Sequence, residues 1–183
     1  ERGEGEDDDE VPILEVLTEQ RLAVLVGGPG SGKSALVNWI TSHLLNQKDQ
    51  DELPSSIKGL LPIRLVLRRT PDIGRNKSDN WIWHSLEADI EEKLKELGKE
   101  EAPVRAKAAV ALLRADMDQQ KGLLFLFDGL DEVATAGKQR ENLIQAVRRF
   151  SNALPKHCRL LLTARPYAYT DKAWQLPGIP DYV

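Results

Sequence analysis

The sequence predicts an α/β fold in which helices cover both faces of a mostly parallel sheet. Four short apolar runs recur, at residues 22–27, 62–67, 122–127 and 159–163. Each run is too short for most helices and too continuous for a strand with one face in water, which is typical of strands buried on both faces. Helical patterns fill the gaps between them, so we expect a three-layer, doubly wound α/β/α domain.

Four apolar stripes with helical spacing accompany these runs. The second stripe ends near Gly98 and the fourth is closed by Pro155, both typical helix stops. The stripes are formed by Leu36, Ile40 and Leu44; by Trp83, Leu86, Ile90, Leu94 and Leu97; by Val104, Ala108, Leu112 and Ala115; and by Leu143, Val147, Phe150 and Leu154. We expect each stripe to be the buried face of a helix.

The two ends of the sequence differ from its middle. Residues 1–10 contain seven acidic side chains and no apolar one, which predicts a disordered acidic segment. Residues 11–20 predict a short amphipathic helix, and the Pro- and Gly-rich residues 176–183 indicate the approach to a further strand. We therefore predict one folded domain over residues 11–183, and the start at Glu1 rather than Met leads us to expect a piece of a longer chain.

Composition narrows the class of protein. The 183 residues carry a net charge of −4 and a pI near 5.5, which argues against direct binding of nucleic acid. No apolar stretch approaches the roughly 18 residues of a membrane span and no signal-peptide pattern is present, so we expect no membrane contact and a cytoplasmic location. The single cysteine, Cys158, adjoins an apolar run and is expected to be a buried thiol; the scattered histidines indicate no metal cluster.

The most specific motif is GGPGSGKS at residues 27–34, which matches the phosphate-binding loop G-x-x-x-x-G-K-[ST]. It stands between an apolar run and a helical stripe, the strand–turn–helix context that converges backbone N–H groups on phosphate oxygens. The candidate phosphate-binding residues are Gly28, Pro29, Gly30, Ser31, Gly32, Lys33 and Ser34. Lys33 is expected to reach the β- and γ-phosphates and the Ser34 hydroxyl to ligate Mg²⁺. The same glycines fit the dinucleotide pattern G-x-G-x-x-A, but that interpretation leaves Lys33 and Ser34 unexplained.

A second motif lies at the end of the third apolar run. Asp128 follows five apolar residues, as the Mg²⁺-binding acid of a Walker B strand does, and we expect it to hold Mg²⁺, usually through a water. Gly129 then lets the backbone pass close to the nucleotide. Asp131 and Glu132 follow within reach of the γ-phosphate, where either is a candidate to orient or deprotonate a water.

A third motif ends the fourth apolar run, at Thr163-Ala164-Arg165-Pro166. In one branch of these folds an extra strand lies between the Walker A and Walker B strands. We expect the strand that bears Thr163 to take that central place. Arg165 would then sense the terminal phosphate electrostatically.

Together these segments resemble the NACHT family of signal-transduction ATPases with numerous domains. The marks are GGPGSGKS at 27–34, the extended Walker B segment LFLFDGLDE at 124–132 and TARP at 163–166. The resemblance covers about residues 11–183, and Pro166-Tyr-Ala-Tyr169 is most similar to the prokaryotic branch. It implies a P-loop NTPase fold, bound ATP or ADP with Mg²⁺, and slow ATP hydrolysis.

The resemblance also implies a role and partners. ATP and ADP would switch the protein between an oligomerising and a closed state, within a larger sensor of innate immunity or antiviral defence. A helical domain and a winged-helix domain would follow this module in the parent chain and serve as its partners, and the full-length protein would form a homo-oligomer. The family places base contacts near residues 11–13, which makes them a candidate adenine site.

Three other interpretations are open from the residues. Asn76-Lys77-Ser78-Asp79 matches the guanine-reading motif N-K-x-D, but it precedes Asp128 in a polar loop, where Ser78 or Asp79 as a helix cap is the better account.

A small-molecule kinase is the main alternative function. Its candidate lid residues are Arg64, Arg68, Arg69 and Arg75, but nothing in the sequence orders them into a lid. A polymer-acting motor ATPase is disfavoured by the acidic charge.

Overall fold

Five parallel strands form a sheet in the order β2-β3-β4-β1-β5 in the computed structural model. The structure describes residues 13–46, 49–70, 80–133, 139–169, 175–176 and 178–182. The strands are β1 (Leu22–Val26), β2 (Leu61–Val66), β3 (Leu123–Asp128), β4 (Arg159–Ala164) and β5 (Asp181–Tyr182). The helices are α1 (Ile13–Glu19), α2 (Lys33–Leu45), α3 (Trp81–Glu96), α4 (Ala102–Asp118), α5 (Gln139–Ala153) and α6 (Pro166–Tyr169). The acidic residues 1–10, residues 11–12 and the N-K-x-D segment 76–79 lie outside the described residues.

The strand that bears Thr163 lies between β1 and β3, as expected. Leu25 pairs with Thr163 on one side of β4, and Phe127 pairs with Leu162 on the other. Because the three strands are parallel, their carboxyl ends meet at one edge of the sheet. The segments that follow β1, β3 and β4, which carry the three predicted motifs, therefore emerge together.

The sheet is buried on both faces, which confirms the three-layer fold. All six residues of β3 are buried, and the five apolar ones alternate between two apolar clusters. Phe125 and Phe127 belong to the cluster formed with α3, α4 and α5, whereas Leu124 and Leu126 belong to the cluster formed with α1 and α2. This double burial explains why the strands appear in the sequence as continuous apolar runs.

Helix α4 buries a different face from the one predicted. Val104 and Leu112 of the predicted stripe are 65% and 66% exposed, and Ala108 is exposed as well. The buried face is instead formed by Ala102, Ala106 and Val110. Both stripes have steps of three or four residues, which fit a helix, so periodicity alone does not choose between them. The alanines form the buried face, which is consistent with a close approach of α4 to its neighbour α3.

The end of α3 and the C-terminal residues refine two further predictions. Helix α3 stops at Glu96, and Leu97, the last member of its predicted stripe, is exposed. The further strand expected near the C-terminus is β5, which extends the sheet beside β1. None of the helices that the structure describes is long and apolar enough to cross a membrane.

Cys158 is buried just before β4, as the sequence predicts. The residue is fully shielded from solvent, and burial raises the pKa of its thiol. Since the thiolate is the reactive form, both effects protect the sulfur from alkylating and disulfide reagents.

We expect Cys158 to react with a thiol reagent such as DTNB at least about tenfold more slowly in the folded protein than in urea at the same pH. Absorbance at 412 nm reports the rate of a single thiol, because the sequence has one cysteine. Rapid stoichiometric labelling of the folded protein at pH 8 would contradict the burial of this side chain.

The buried face of α4 can be tested by one substitution at two sites of the same helix. Ala106→Leu should lower the free energy of unfolding by about 1–3 kcal/mol, because Ala106 is completely buried and the added carbons overpack the contact. Ala108→Leu should change it by less than about 0.5 kcal/mol, because that side chain is in water. Urea unfolding followed by tryptophan fluorescence measures both. If Ala108→Leu lowered the free energy of unfolding more than Ala106→Leu, the predicted stripe would be the buried face of α4.

Candidate functional site

The turn between β1 and α2 directs the first turn of α2 toward the carboxyl edge of the sheet. Gly32 is the N-cap of the helix and has a φ of +85°. This backbone conformation is strained for any residue with a side chain, so glycine is required there. The helix begins at the next residue, Lys33, and its first N–H groups have no partner within the helix. This end of the helix therefore offers N–H donors and a partial positive charge to an anion.

Lys33 folds back over the same loop. Its ammonium donates to the carbonyl oxygens of Gly27 and Gly28, at 2.5 and 2.9 Å, and to Ser31 Oγ at 3.1 Å. These neutral acceptors hold the charge at the centre of the loop. Phosphate oxygens are better acceptors for an ammonium because they are charged.

Asp128, the last residue of β3, is buried and receives donors from three different elements. Its Oδ1 accepts from the hydroxyls of Ser34 on α2, at 3.2 Å, and of Thr163 on β4, at 2.9 Å. Its Oδ2 pairs with Arg64 Nη2 on β2 at 2.8 Å. A buried carboxylate needs such compensation, and these contacts fix its position beside the loop.

Thr163 links Asp128 to the segment that follows it. While its hydroxyl donates to Asp128, the same oxygen accepts from the backbone N–H of Gly129 at 2.9 Å. Gly129 has φ of +83°, which again favours glycine, and this turn starts a short 3₁₀ helix over Leu130–Glu132. Thr163 thus sets the course of the chain that carries the two further acids. The sequence marked it only as a polar residue at a strand end.

The two acids of that turn are paired with arginines from different sides. Asp131, with only 4% of its side chain exposed, pairs with Arg165 Nε at 2.9 Å. Glu132, with 33% exposed, pairs with Arg68 Nη1 at 2.9 Å. Glu132 is therefore the more accessible of the two carboxylates.

A cavity of about 300 Å³ connects the three predicted motifs. It is lined by Pro29, Gly30, Ser31, Gly32, Lys33, Ser34, Ala35, Asp128, Gly129, Asp131, Glu132, Thr163 and Arg165. Of the residues predicted for the phosphates, Mg²⁺ and the water, only Gly28 is absent from this wall, although its carbonyl oxygen holds Lys33. Ile13, the described member of the candidate adenine site, does not line the cavity either and packs against the cluster of α1 and α2. Lys33 and Asp128 thus lie at the same edge of the sheet.

A second cavity, of about 260 Å³, adjoins the first and shares three wall residues with it: Ser34, Asp128 and Glu132. Its other wall residues are Arg64, Val66, Arg68, Arg69 and Lys93. The sequence suggested three of these arginines only for a kinase lid, and Arg75 lies outside the described residues. Asn38, whose Oδ1 accepts from Arg64 Nη1 at 2.6 Å, was not anticipated. The sequence offered one signal for this contact: Arg64 is a charged residue inside an apolar strand run. A buried charge requires a partner.

The donor set fits Mg²⁺ and a phosphate chain. Ser34 and Asp128 offer the hard oxygen ligands that Mg²⁺ prefers, and the cationic group of Arg64 already stands beside Asp128. Among the residues described, no group of three or more His, Cys, Asp or Glu side chains is arranged to hold a metal. Mg²⁺ usually keeps waters and substrate phosphates as its remaining ligands.

Comparison with known proteins identifies the family. No curated protein matches the chain. The family model of the NACHT domain matches residues 21–179, a span that includes the phosphate-binding loop, Asp128 and Arg165. The prokaryotic branch stays a prediction. The chain belongs to the NACHT family, and its matched region is a P-loop NTPase module that binds nucleotide.

Proposed function

We propose that this chain is an ATP/ADP-binding module that hydrolyses ATP slowly with Mg²⁺ and acts as a nucleotide-dependent switch. One observation carries the proposal: the phosphate-binding loop, the acids after β3 and Arg165 line one cavity of about 300 Å³. A polyanion in that cavity would meet donors from the loop on one side and from β4 on the other. The acidic side chains between these donors would bind a metal ion and orient a water.

Binding is assigned to the loop. The backbone N–H groups of residues 28–34 and the Lys33 ammonium bind the phosphates, with Lys33 exchanging its carbonyl acceptors for phosphate oxygens. Ser34 and Asp128 hold Mg²⁺, which when bound neutralises the phosphate charge. Thr163 keeps the Asp128 carboxylate oriented toward this position.

Hydrolysis is assigned to Glu132 in preference to Asp131. A general base must reach a water and exchange protons with it. Glu132 is the more exposed acid, and its partner Arg68 is itself 56% exposed, so that ion pair is weakly held. Asp131 is almost fully buried and held by Arg165, which suits a positioning residue. Water as the phosphate acceptor gives ADP and free phosphate.

The switch is assigned to the Arg165–Asp131 pair. Arg165 lines the same cavity as the phosphate-binding loop, and its Nε pairs with Asp131 at 2.9 Å. A γ-phosphate would draw Arg165 toward it, and its absence in ADP would leave Arg165 on Asp131. We propose that this change is transmitted to a helical and a winged-helix domain of the parent chain. A homo-oligomer of a cytoplasmic sensor in innate immunity or antiviral defence is the context we propose.

A small-molecule kinase is a second candidate because of the adjoining cavity. Its wall carries Arg64, Arg68, Arg69 and Lys93, which would suit an anionic phosphate acceptor. Two of these arginines are already held by acids of the site, which favours the ATPase proposal. Detection of a phosphorylated small molecule in place of free phosphate would reverse the ranking.

Lys33→Ala should weaken binding of Mg·ATP by at least about tenfold, because a charge-assisted contact to phosphate is lost. Calorimetric titration and the nucleotide-induced shift in melting temperature measure this. Lys121→Ala is the matched control, since Lys121 pairs with Asp116 ahead of β3, at the opposite end of that strand. ATP protection that survives Lys33→Ala unchanged would refute the assigned loop. Stabilisation by GTP alone would refute the choice of ATP.

Glu132→Gln should retain Mg·ATP binding but lower the rate of phosphate release by about a hundredfold or more, as expected when a general base is removed. Asp131→Asn, a matched amide substitution one residue away, should instead lower the melting temperature by unpairing Arg165. Single-turnover phosphate release and melting curves separate the two effects. Loss of turnover in Asp131→Asn together with normal turnover in Glu132→Gln would exchange the two roles.

A further inference from the structure

Arg64 is a cation inside the sheet. It lies in the middle of β2, where its guanidinium bridges three elements: Nη2 pairs with Asp128 Oδ2 on β3 at 2.8 Å, and Nη1 donates to Asn38 Oδ1 on α2 at 2.6 Å. Only 8% of the Asp128 side chain is exposed, against 32% of the Arg64 side chain. The pair is thus largely shielded from water on the acid's side, where screening is weak.

This guanidinium competes for the carboxylate that the proposed function gives to Mg²⁺. Oδ1 of Asp128 already accepts two hydroxyl donors, and Oδ2 accepts from Arg64. A divalent cation near Asp128 would be repelled by a guanidinium 2.8 Å from the same carboxylate. The two cations are therefore alternative partners of one acid.

The structure also contains a cavity into which the Arg64 side chain could move. Arg64 lines the adjoining cavity of about 260 Å³ and does not line the cavity that holds the phosphate-binding loop. Its Nε is buried and, among the described residues, has no hydrogen-bond partner. An unpaired buried N–H is unfavourable, so movement of the guanidinium further into the adjoining cavity would relieve this cost.

We propose that Arg64 is the built-in counter-ion of Asp128, which Mg²⁺ displaces when nucleotide binds. Arg64 thereby stabilises the metal-free site and sets the Mg²⁺ concentration at which nucleotide is retained. Arg64 acts through Asp128, so it is a positioning residue and not a catalytic one. This inference rests on the proposed binding of Mg²⁺ and nucleotide.

The test is a Mg²⁺ titration, read as the melting temperature at saturating ADP and, in separate samples without ADP, as the affinity for a fluorescent ADP analogue. Arg64→Gln removes the competing cation, so the Mg²⁺ midpoint should fall by about three- to tenfold, the range between an exposed ion pair and a charge-assisted contact. Without Mg²⁺ and nucleotide, Arg64→Gln should melt below the wild-type protein, because Asp128 loses its cation. That difference should shrink or reverse with Mg·ADP, which a purely structural role of Arg64 would not produce.

Arg69→Gln is the matched control. It removes the same charge from the wall of the same cavity, but Arg69 forms none of the described contacts to Asp128. Its Mg²⁺ midpoint should move by less than about twofold, as expected for an exposed charge. Arg64→Lys keeps the charge but loses the planar fork, so its midpoint should fall between those of the wild type and Arg64→Gln.

An unchanged or higher Mg²⁺ midpoint in Arg64→Gln would overturn the inference, as would an equal shift in Arg69→Gln, which would indicate net charge and not the ion pair. If Arg64→Gln does not fold, an unchanged midpoint in Arg64→Lys would overturn it. Failure of the wild-type protein to bind ADP at any Mg²⁺ concentration would instead overturn the proposed function, and the Arg64 inference with it.

Discussion

The buried carboxylate of Asp128 is the constraint on which the arrangement of the site depends. β3 is buried along its whole length, so the acid at its end has little water to solvate its charge. Hydroxyl donors must therefore come from the neighbouring elements, Ser34 from α2 and Thr163 from β4, and a cation from β2. The central position of β4 meets the same need, because it lies next to β3 and brings the Thr163 hydroxyl to 2.9 Å from the acid.

Opposite charges are matched throughout the site in the structure. Each of the three acids has its own arginine: Asp128 with Arg64, Glu132 with Arg68 and Asp131 with Arg165. Lys33 adds a further positive charge, and in the described part of the chain it is held by neutral acceptors of its own loop. A nucleotide polyanion with its metal would therefore replace existing ion pairs one by one. These pairs differ in exposure, since Glu132 is 33% exposed and Asp131 only 4%, so under the proposed function each would contribute differently to nucleotide binding.

The parts of this fold that depend on local pattern could be predicted from the sequence, and those that depend on long-range pairing could not. The four apolar runs gave strand positions to within about a residue of β1–β4, because strands buried on both faces leave little freedom in composition. The phosphate-binding loop is a local turn whose glycine at position 32 is fixed by its own φ angle. In contrast, α4 carries two equally periodic stripes, and contact with α3 decides between them. The partner of Arg64 lies 64 residues away, so no local pattern reveals it.

If the chain acts as the proposed switch, two of its ion pairs would respond to different parts of the bound nucleotide. The Arg64–Asp128 pair lies at the metal position and would respond to Mg²⁺, which ADP and ATP both bring. The Arg165–Asp131 pair lies on the β4 side of the cavity and would respond to the terminal phosphate alone. Under the proposed function, the second pair would report which nucleotide is bound, and the first would report that the site is loaded. Asp131 is the more deeply buried partner of the reporting pair, and it belongs to the same short turn as Glu132. A change of partner at Arg165 would thus reach the acid assigned to hydrolysis through a single turn of backbone, which couples the state of the switch to the reaction that resets it.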